Sequence, residues 1–300
     1  MKPAPFAYQA PVSLEAALEL LARHGGEAKI LAGGQSLIPV MNFRLAEPAL
    51  LVDINRLSEL DFIRADEDGT LRIGAMARQR RLERDPLVAA RAPLLHEAMP
   101  FIAHPQIRNR GTFGGSLAHA DPAAELPALA VALDARLRLR RAGGAGGSDR
   151  WVEAGDFFAG LFTTALAPDE MLVEAAIPPS PARTGWAFLE IARRHGDYAQ
   201  VGLAARVTLD ESGRCREARL VFLSVGDGPV EAKAAARGLA GEELTAAALD
   251  AAAETAARDE MEPRSDVHAT TEFKRHLARV LTRRALRLAA DRARRGEDPS

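Results

Sequence analysis

Two paired glycines constrain this chain more than any other feature: Gly33-Gly34-Gln35-Ser36 and Gly111-Thr112-Phe113-Gly114-Gly115-Ser116. Paired glycines let the backbone turn sharply, present successive N–H groups and admit a ligand that a side chain would hold away. The first pair follows a short apolar strand at 29–31 and precedes a short helix over 37–42, so an anion there would meet a helix start. The second lies in 107–121 (IRNRGTFGGSLAHAD), which shows neither a helical nor a strand period and reads as a long irregular loop. No Gly-Lys-Ser/Thr follows either pair and neither is GxGxxG, which excludes a Walker A loop and a Rossmann fingerprint. Each pair by itself reads as a turn or as an anion-binding nest. Together, with Ser36, Thr112 and Ser116, they fit a pyrophosphate gripped from two sides.

The rest of the chain alternates strands and helices. Ser13 caps an amphipathic helix that ends near Gly25-Gly26. Strands are expected at 49–54 and 70–75, with 66–69 (DEDG) as a hairpin turn between them. Helices are expected over 82–85, 94–102 and 122–133, then a strand at 136–140, a flexible hairpin loop at 142–150 (AGGAGGSDR) and a strand at 170–177. The PPSP run at 178–181 marks a boundary. Beyond it, strands at 186–193, 200–209 and 216–225 form an antiparallel meander, followed by helices at 229–237, 246–258 and 270–295. This order predicts an α+β fold with domains at 1–177 and 178–300, the first divided into subdomains of about 1–57 and 58–177.

Composition excludes several functions. With 39 basic and 41 acidic residues the net charge is −2, so no global basic excess draws the chain to nucleic acid. Cys215 is the only cysteine, too few for a disulfide framework or an iron–sulfur cluster of its own. Lysine occurs only at Lys2, Lys29, Lys233 and Lys274, an arginine-rich and alanine-rich texture that points to a GC-rich bacterial genome. No signal peptide and no apolar run of membrane-spanning length is seen, and the expected location is cytoplasmic.

Other polar groups carry two readings each. Asp121 and Glu125 flank a helix start, where they cap it or accept hydrogen bonds from sugar hydroxyls. Arg108, Asn109 and Arg110 offset phosphate charge or brace their loop, bracing being expected of Asn109 at least. His104 and His119 lack metal-ligand spacing and read as structural; no metal site is expected. A turn carrying Arg193, Asp197 and Tyr198 reaches a ligand or is an ordinary polar turn. The last helix carries Lys274, Arg275, Arg279, Arg283, Arg284, Arg287, Arg292, Arg294 and Arg295, a solvated face or a dock for an acidic partner.

Segments 32–57 (AGGQSLIPVMNFRLAEPALLVDINRL) and 106–133 (QIRNRGTFGGSLAHADPAAELPALAVAL) resemble the FAD-binding medium subunits of molybdenum hydroxylases, the carbon monoxide dehydrogenase and xanthine dehydrogenase type. The resemblance continues in order through 151–178, 193–207 and 265–286, nearly the whole chain. It implies a vanillyl-alcohol-oxidase-type (PCMH-type) FAD-binding domain of two α/β subdomains, then a three-stranded antiparallel sheet with a helix bundle. It implies non-covalent FAD, with the pyrophosphate between Ala32, Gly33, Gly34, Gln35, Ser36 and Leu37 on one side and Gly111, Thr112, Gly114, Gly115 and Ser116 on the other. Asp121 and Glu125 match positions near the ribityl and sugar groups, Asp197 and Tyr198 a hairpin against the isoalloxazine ring, and Leu172 a weaker ring contact. Lys29 would help with phosphate charge, and Leu31, Ile102 and Ala118 complete the contact set. Gln35 stands where some relatives carry His, and Ser116 where many carry Asn or Asp.

The implied activity is electron transfer within a heterotrimer, assembled as a dimer of heterotrimers. A large subunit would hold molybdopterin, a small one two [2Fe–2S] clusters, and the acceptor would be quinone, NAD, O2 or a carrier. No catalytic acid or nucleophile is assigned in this chain. The alternatives are a stand-alone flavin reductase or oxidase of the same superfold, and a non-catalytic interaction subunit.

Overall fold

A central strand buried on both faces organises the first sheet. In the computed structural model, which describes residues 2–143 and 148–296, Leu50–Asp53 lies between Ala7–Gln9 and Ala28–Leu31, parallel to both. Leu50, Leu51 and Val52 are all buried, as a central parallel strand requires. Helix Leu14–His24 lays Leu14, Ala17, Leu18 and Leu21 on this sheet, and the Ser13 hydroxyl accepts from the Ala16 amide at 3.3 Å.

The second sheet runs in the order Ile63–Ala65, Leu71–Gly74, Glu170–Ile177, Arg136–Arg141, Ser148–Glu153, antiparallel throughout. Its central strand Glu170–Ile177 is buried at every position. Two carboxylates in it are neutralised by guanidinium groups: Glu174 binds Arg72 and Arg138, each at 2.8 Å, and Glu170 binds Arg150 at 2.7 Å.

The third sheet joins Thr184–Ala192, Ala199–Leu209 and Cys215–Leu223, extended by the two-residue strand Val230–Glu231. Its side chains alternate between two cores. Phe188, Ala204 and Val221 face the core that holds Phe113, Leu126 and Leu129. Ala187, Leu203, Ala205 and Phe222 face helices Ala246–Asp259 and Thr271–Arg295. The last helix also reaches back: Arg292 donates to Glu97 at 2.6 Å and to the Trp186 carbonyl at 2.7 Å. Lys274, Arg279, Arg283, Arg292 and Arg294 are ion-paired within the chain, so part of the basic helix braces its neighbours.

Five local expectations change. The 66–69 turn joins Ile63–Ala65 to Leu71–Gly74, because Leu50–Asp53 belongs to the parallel sheet. Segment 107–121 is not an irregular loop but parts of two short helices, Pro105–Arg110 and Phe113–His119; Pro105 starts one and Thr112 caps the other, and neither is long enough to display a period. Helix 82–85 is replaced by Gln79–Leu82 and by Pro86–Arg91, which Asp85 caps. Residues 229–237 begin as strand Val230–Glu231 before helix Lys233–Arg237. Of the loop 142–150, residues 148–150 are strand, and 144–147 lie outside the described residues.

Gly185 is where the third sheet meets the last helix. A Cβ there would lie 1.9 Å from the Ala289 carbonyl oxygen and 2.5 Å from the Ala293 nitrogen, both backbone atoms. Gly185→Ala is expected to destabilise the protein by about 1–3 kcal/mol, read as a lower urea midpoint with unchanged slope.

Candidate functional site

Strand Ala28–Leu31 delivers the chain to the first glycine pair, and helix Leu37–Asn42 carries it away. Gly34 has φ of 72°, a left-handed conformation that glycine adopts without penalty. Gln35 folds back, its Nε2 donating to the Gly33 carbonyl at 2.9 Å. The backbone amides of 33–36 donate no hydrogen bond within the described residues. Four consecutive unpaired amides before a helix form a concave donor array suited to an anion.

The second pair works differently. The amides of Gly111, Phe113 and Gly114 donate to the carbonyls of Ile107, Ala77 and Ala75, and the Gly115 amide donates to Thr112 Oγ1 at 3.1 Å. These donors are therefore used inside the protein. The glycines serve close packing: a Cβ on Gly114 would lie 2.5 Å from the Ala75 Cβ, and one on Gly111 2.4 Å from Gln79 Oε1. The first loop thus offers four unpaired amides and the second only that of Thr112, which donates no hydrogen bond among the described residues. The second loop also offers Thr112, Ser116 and the wall of the helix Phe113–His119.

The two loops touch. A Cβ on Gly33 would stand 2.5 Å from the Arg110 carbonyl oxygen and 2.9 Å from the Gly111 Cα. Beside this contact lies a cleft of about 410 Å³ lined by residues that include Leu31, Ala32, Gly33, Gly34, Gln35 and Arg110. Lys29 is exposed and does not line it. Arg108, not Asn109, braces the second loop: it is 4% exposed, pairs with Glu83 through Nε at 2.9 Å and Nη2 at 3.1 Å, and donates to the Ile102 and Ala103 carbonyls at 2.7 and 3.0 Å. Asn109 is exposed, and its side chain makes no hydrogen bond among the described residues. Burial pushes the Glu83 carboxyl up, but the bonds from Arg108 and Arg80 outweigh it and hold it below the usual range.

A second group gathers acids. Asp121 Oδ1 accepts from the Ala123 amide at 2.9 Å, a turn that sets the start of helix Glu125–Ala132. Glu125, 7% exposed, makes no side-chain bond to another residue among those described. Burial pushes its carboxyl up to about 7, opposed by its own amide and helped by Asp121. Glu190 shares the strand parity of Trp186 and Phe188, so it points from the third sheet to the same side. Its Oε2 is buried without a partner, and burial followed by the Glu125 charge pushes its carboxyl up to about 8. Tyr198 stands 69% exposed. Its phenol is raised by burial and by Asp121 and Glu125, and for so open a ring the two charges are the better-founded causes. Its hairpin is seated by Gly196, whose Cβ position lies 2.6 Å from the His104 ring, and by His195 stacked on Phe101 at 6.1 Å.

The remaining expected residues divide. Ile102 and Leu172 are 7% and 5% exposed and belong to the core, whereas Ala118 and Asp197 are exposed. Sequence reasoning missed Asn55, Arg78 and Glu190. Asn55 and Arg78 sit in unremarkable polar contexts and Glu190 in an apolar strand, and only tertiary contacts single them out.

The chain matches two family models: "FAD binding domain in molybdopterin dehydrogenase" over residues 4–180 and "CO dehydrogenase flavoprotein C-terminal domain" over 186–289. It is 43% identical over 294 residues to the 6-hydroxypseudooxynicotine dehydrogenase complex subunit alpha of Paenarthrobacter nicotinovorans, covering 98% of this chain and 97% of that one. It is 40% identical to the carbon monoxide dehydrogenase medium chain of Hydrogenophaga pseudoflava, covering 96% and 98%. Among solved structures, a chain of carbon monoxide dehydrogenase from H. pseudoflava superposes with TM-score 0.92 at 40% identity, covering 97% and 99%. A chain of quinoline 2-oxidoreductase from Pseudomonas putida 86 does so with TM-score 0.90 at 40% identity, covering 98% and 99%.

The acid group makes stability depend on pH. Glu125 and Glu190 keep their protons in the folded chain well above the ordinary value of 4.5, where the unfolded chain has released them. At these two groups the folded state binds more protons, so their contribution to stability is fully present below about pH 4.5, is lost as pH rises and levels off beyond about pH 8. Glu190→Gln should remove part of this fall and raise the urea midpoint of FAD-free protein at alkaline pH, on the order of 1 kcal/mol. A parallel pH profile in the variant would refute the assignment.

Proposed function

The chain belongs to the FAD-binding medium subunits of molybdenum hydroxylases, and on that premise we propose that it carries electrons from a partner's [2Fe–2S] clusters to an external acceptor. It is an oxidoreductase component. The observation that carries the reading is the run of unpaired amides at 33–36 beside a cleft of about 410 Å³. A dinucleotide cofactor brings a pyrophosphate that such amides would hold without a lysine. The buried, unpartnered carboxyls of Glu125 and Glu190 supply acceptors for hydroxyl groups. These residues fit FAD.

In this reading the amides of 33–36 bind the pyrophosphate, with Leu31, Ala32 and Leu37 beside it and Lys29 adding charge from the strand. Thr112, Ser116 and the glycines of the second loop close the other side. Asp121 and Glu125 accept from the sugar and ribityl hydroxyls, and the hairpin of Asp197 and Tyr198 lies at the ring end, with Ile102, Ala118 and Leu172 as apolar contacts. Bound FAD accepts electrons singly and yields them in pairs, which joins a cluster relay to a two-electron acceptor. The chain's own task is then to bind and orient; no nucleophile is required of it. We assign domains at 1–177 and 178–300, a cytoplasmic location, and partners holding molybdopterin and [2Fe–2S] clusters in a dimer of heterotrimers. The acceptor is quinone, NAD, O2 or a carrier.

A stand-alone flavin reductase has one observation in its favour, the proton-holding acids Glu125 and Glu190. Turnover of a substrate by the purified chain without partners would select it.

The purified protein should show flavin absorption, and it should co-purify with a molybdopterin subunit and an iron–sulfur subunit. Gly33→Ala, which drives a methyl group into the Arg110 carbonyl, should lower FAD content at least tenfold while the molybdenum and iron contents of the complex stay unchanged. A colourless wild-type protein that takes up no FAD would end the proposal.

A further inference from the structure

A polar bridge crosses behind the contact of the two glycine loops. Asn55 follows strand Leu50–Asp53, and its backbone amide and Nδ2 both donate to Asp53 Oδ1, at 2.8 and 2.6 Å. Asp53 Oδ2 in turn accepts from the Tyr8 hydroxyl at 2.5 Å. Thus held, Asn55 Nδ2 donates to the Ala32 carbonyl of the first loop at 2.8 Å. Its Oδ1 accepts from Arg78 Nη2 at 2.6 Å, and Arg78 Nη1 donates to the Arg110 carbonyl of the second loop. That carbonyl is the one Gly33 meets.

Arg78 itself is anchored. Its backbone forms an antiparallel bridge with Thr112, and the neighbouring Gln79 amide donates to the Gly111 carbonyl at 2.9 Å. A guanidinium carries donors in a rigid fork, so one side chain serves an acceptor on each of two segments and fixes the distance between them. A lysine ammonium has no such planar geometry.

We propose that Asn55 and Arg78 are positioning residues that hold the two loops at the separation at which the cleft takes FAD. Asn55 also lines the cleft, whereas Arg78 is not among its lining residues and acts on it through Asn55 and the Arg110 carbonyl. The inference rests on the reading that FAD binds at this cleft. Bracing by Asn55 and Arg78 supplies a tie to the first loop that no hydrogen bond of the second loop's own amides provides among the described residues. The bridge uses two strong polar side chains where a packed apolar contact is impossible, because Gly33 and Arg110 meet backbone to backbone.

The test uses the full-length protein freed of FAD. FAD is titrated into wild type, Arg78→Ala, Arg78→Lys, Asn55→Ala and the double variant Asn55→Ala/Arg78→Ala. Amide hydrogen exchange is followed without FAD at 32–36 and 110–116. Arg81→Ala, which loses exposed contacts with Asp61 and Asp85 and none with either loop, is the control. The expected result is at least tenfold weaker FAD binding in Arg78→Ala and Asn55→Ala, with a double variant no worse than the more damaging single one, because both cut one bridge. Arg78→Lys should fall between wild type and Arg78→Ala. Exchange should quicken at both loops and not in the strands of the second sheet.

FAD affinity within twofold of wild type in Arg78→Ala, effects that add in the double variant, or exchange that quickens throughout the sheet would each overturn the bridge. Failure of wild type to take up FAD would overturn the functional reading instead. In that event exchange unchanged at both loops in Arg78→Ala would show that the bridge fails on its own account.

Discussion

The approach of Gly33 to the Arg110 carbonyl organises the rest of this molecule. A methyl group at that point would overlap backbone, so two segments far apart in sequence meet with nothing between them. Contacts this close hold only if both chains are fixed from behind. The parallel sheet fixes the first loop, since Leu31 and Asp53 pair at the end of it. The second loop is fixed by Arg108, which ties it to Glu83 and to the Ile102 carbonyl, and by Phe113 and Gly114, whose amides bond to the Ala75–Ala77 segment. Burial of Arg108 is tolerated because its donors find a carboxylate and carbonyls.

The third sheet completes the site from the other direction. Its two faces serve different cores, so one strand both roofs the FAD-binding side and floors the helix pair. Glu190 lies on the roofing face with its Oε2 buried and unpartnered, and burial followed by the Glu125 charge raises its carboxyl. Like charges held close in such a setting retain protons or find donors. A ligand rich in hydroxyl groups would provide those donors. Glu97 and Arg292 make the junction firm, through bonds to the Phe188 amide and the Trp186 carbonyl.

Much of this was legible from local pattern. Ser13, Thr245 and Thr270 cap helices where their sequence position suggests, and the strand Glu170–Ile177 is an uninterrupted pattern of buried positions. Segment 107–121 was not legible as helix, because its glycines argue against one. They are there since Ala75 and Gln79 leave no room for a side chain, a fact of the neighbouring strand and turn. Likewise the role of Asn109 and Arg108 is decided by which of them turns inward, and Ile63–Ala65 was hidden as a short, largely exposed edge strand.

By itself the sequence determined the order of the elements, the glycine pair poised before a helix, the lack of thiols for metal clusters, and the family. Helix caps, alternation and motif spacing are local properties, written in neighbouring residues. Only the tertiary structure decided that one glycine pair offers free amides while the other provides close packing, that Glu190 joins Glu125, and that Asn55 and Arg78 tie the loops together. Each depends on partners that the chain brings together from distant positions, and whether an amide or a carboxyl is satisfied is a property of those partners, not of its own residue.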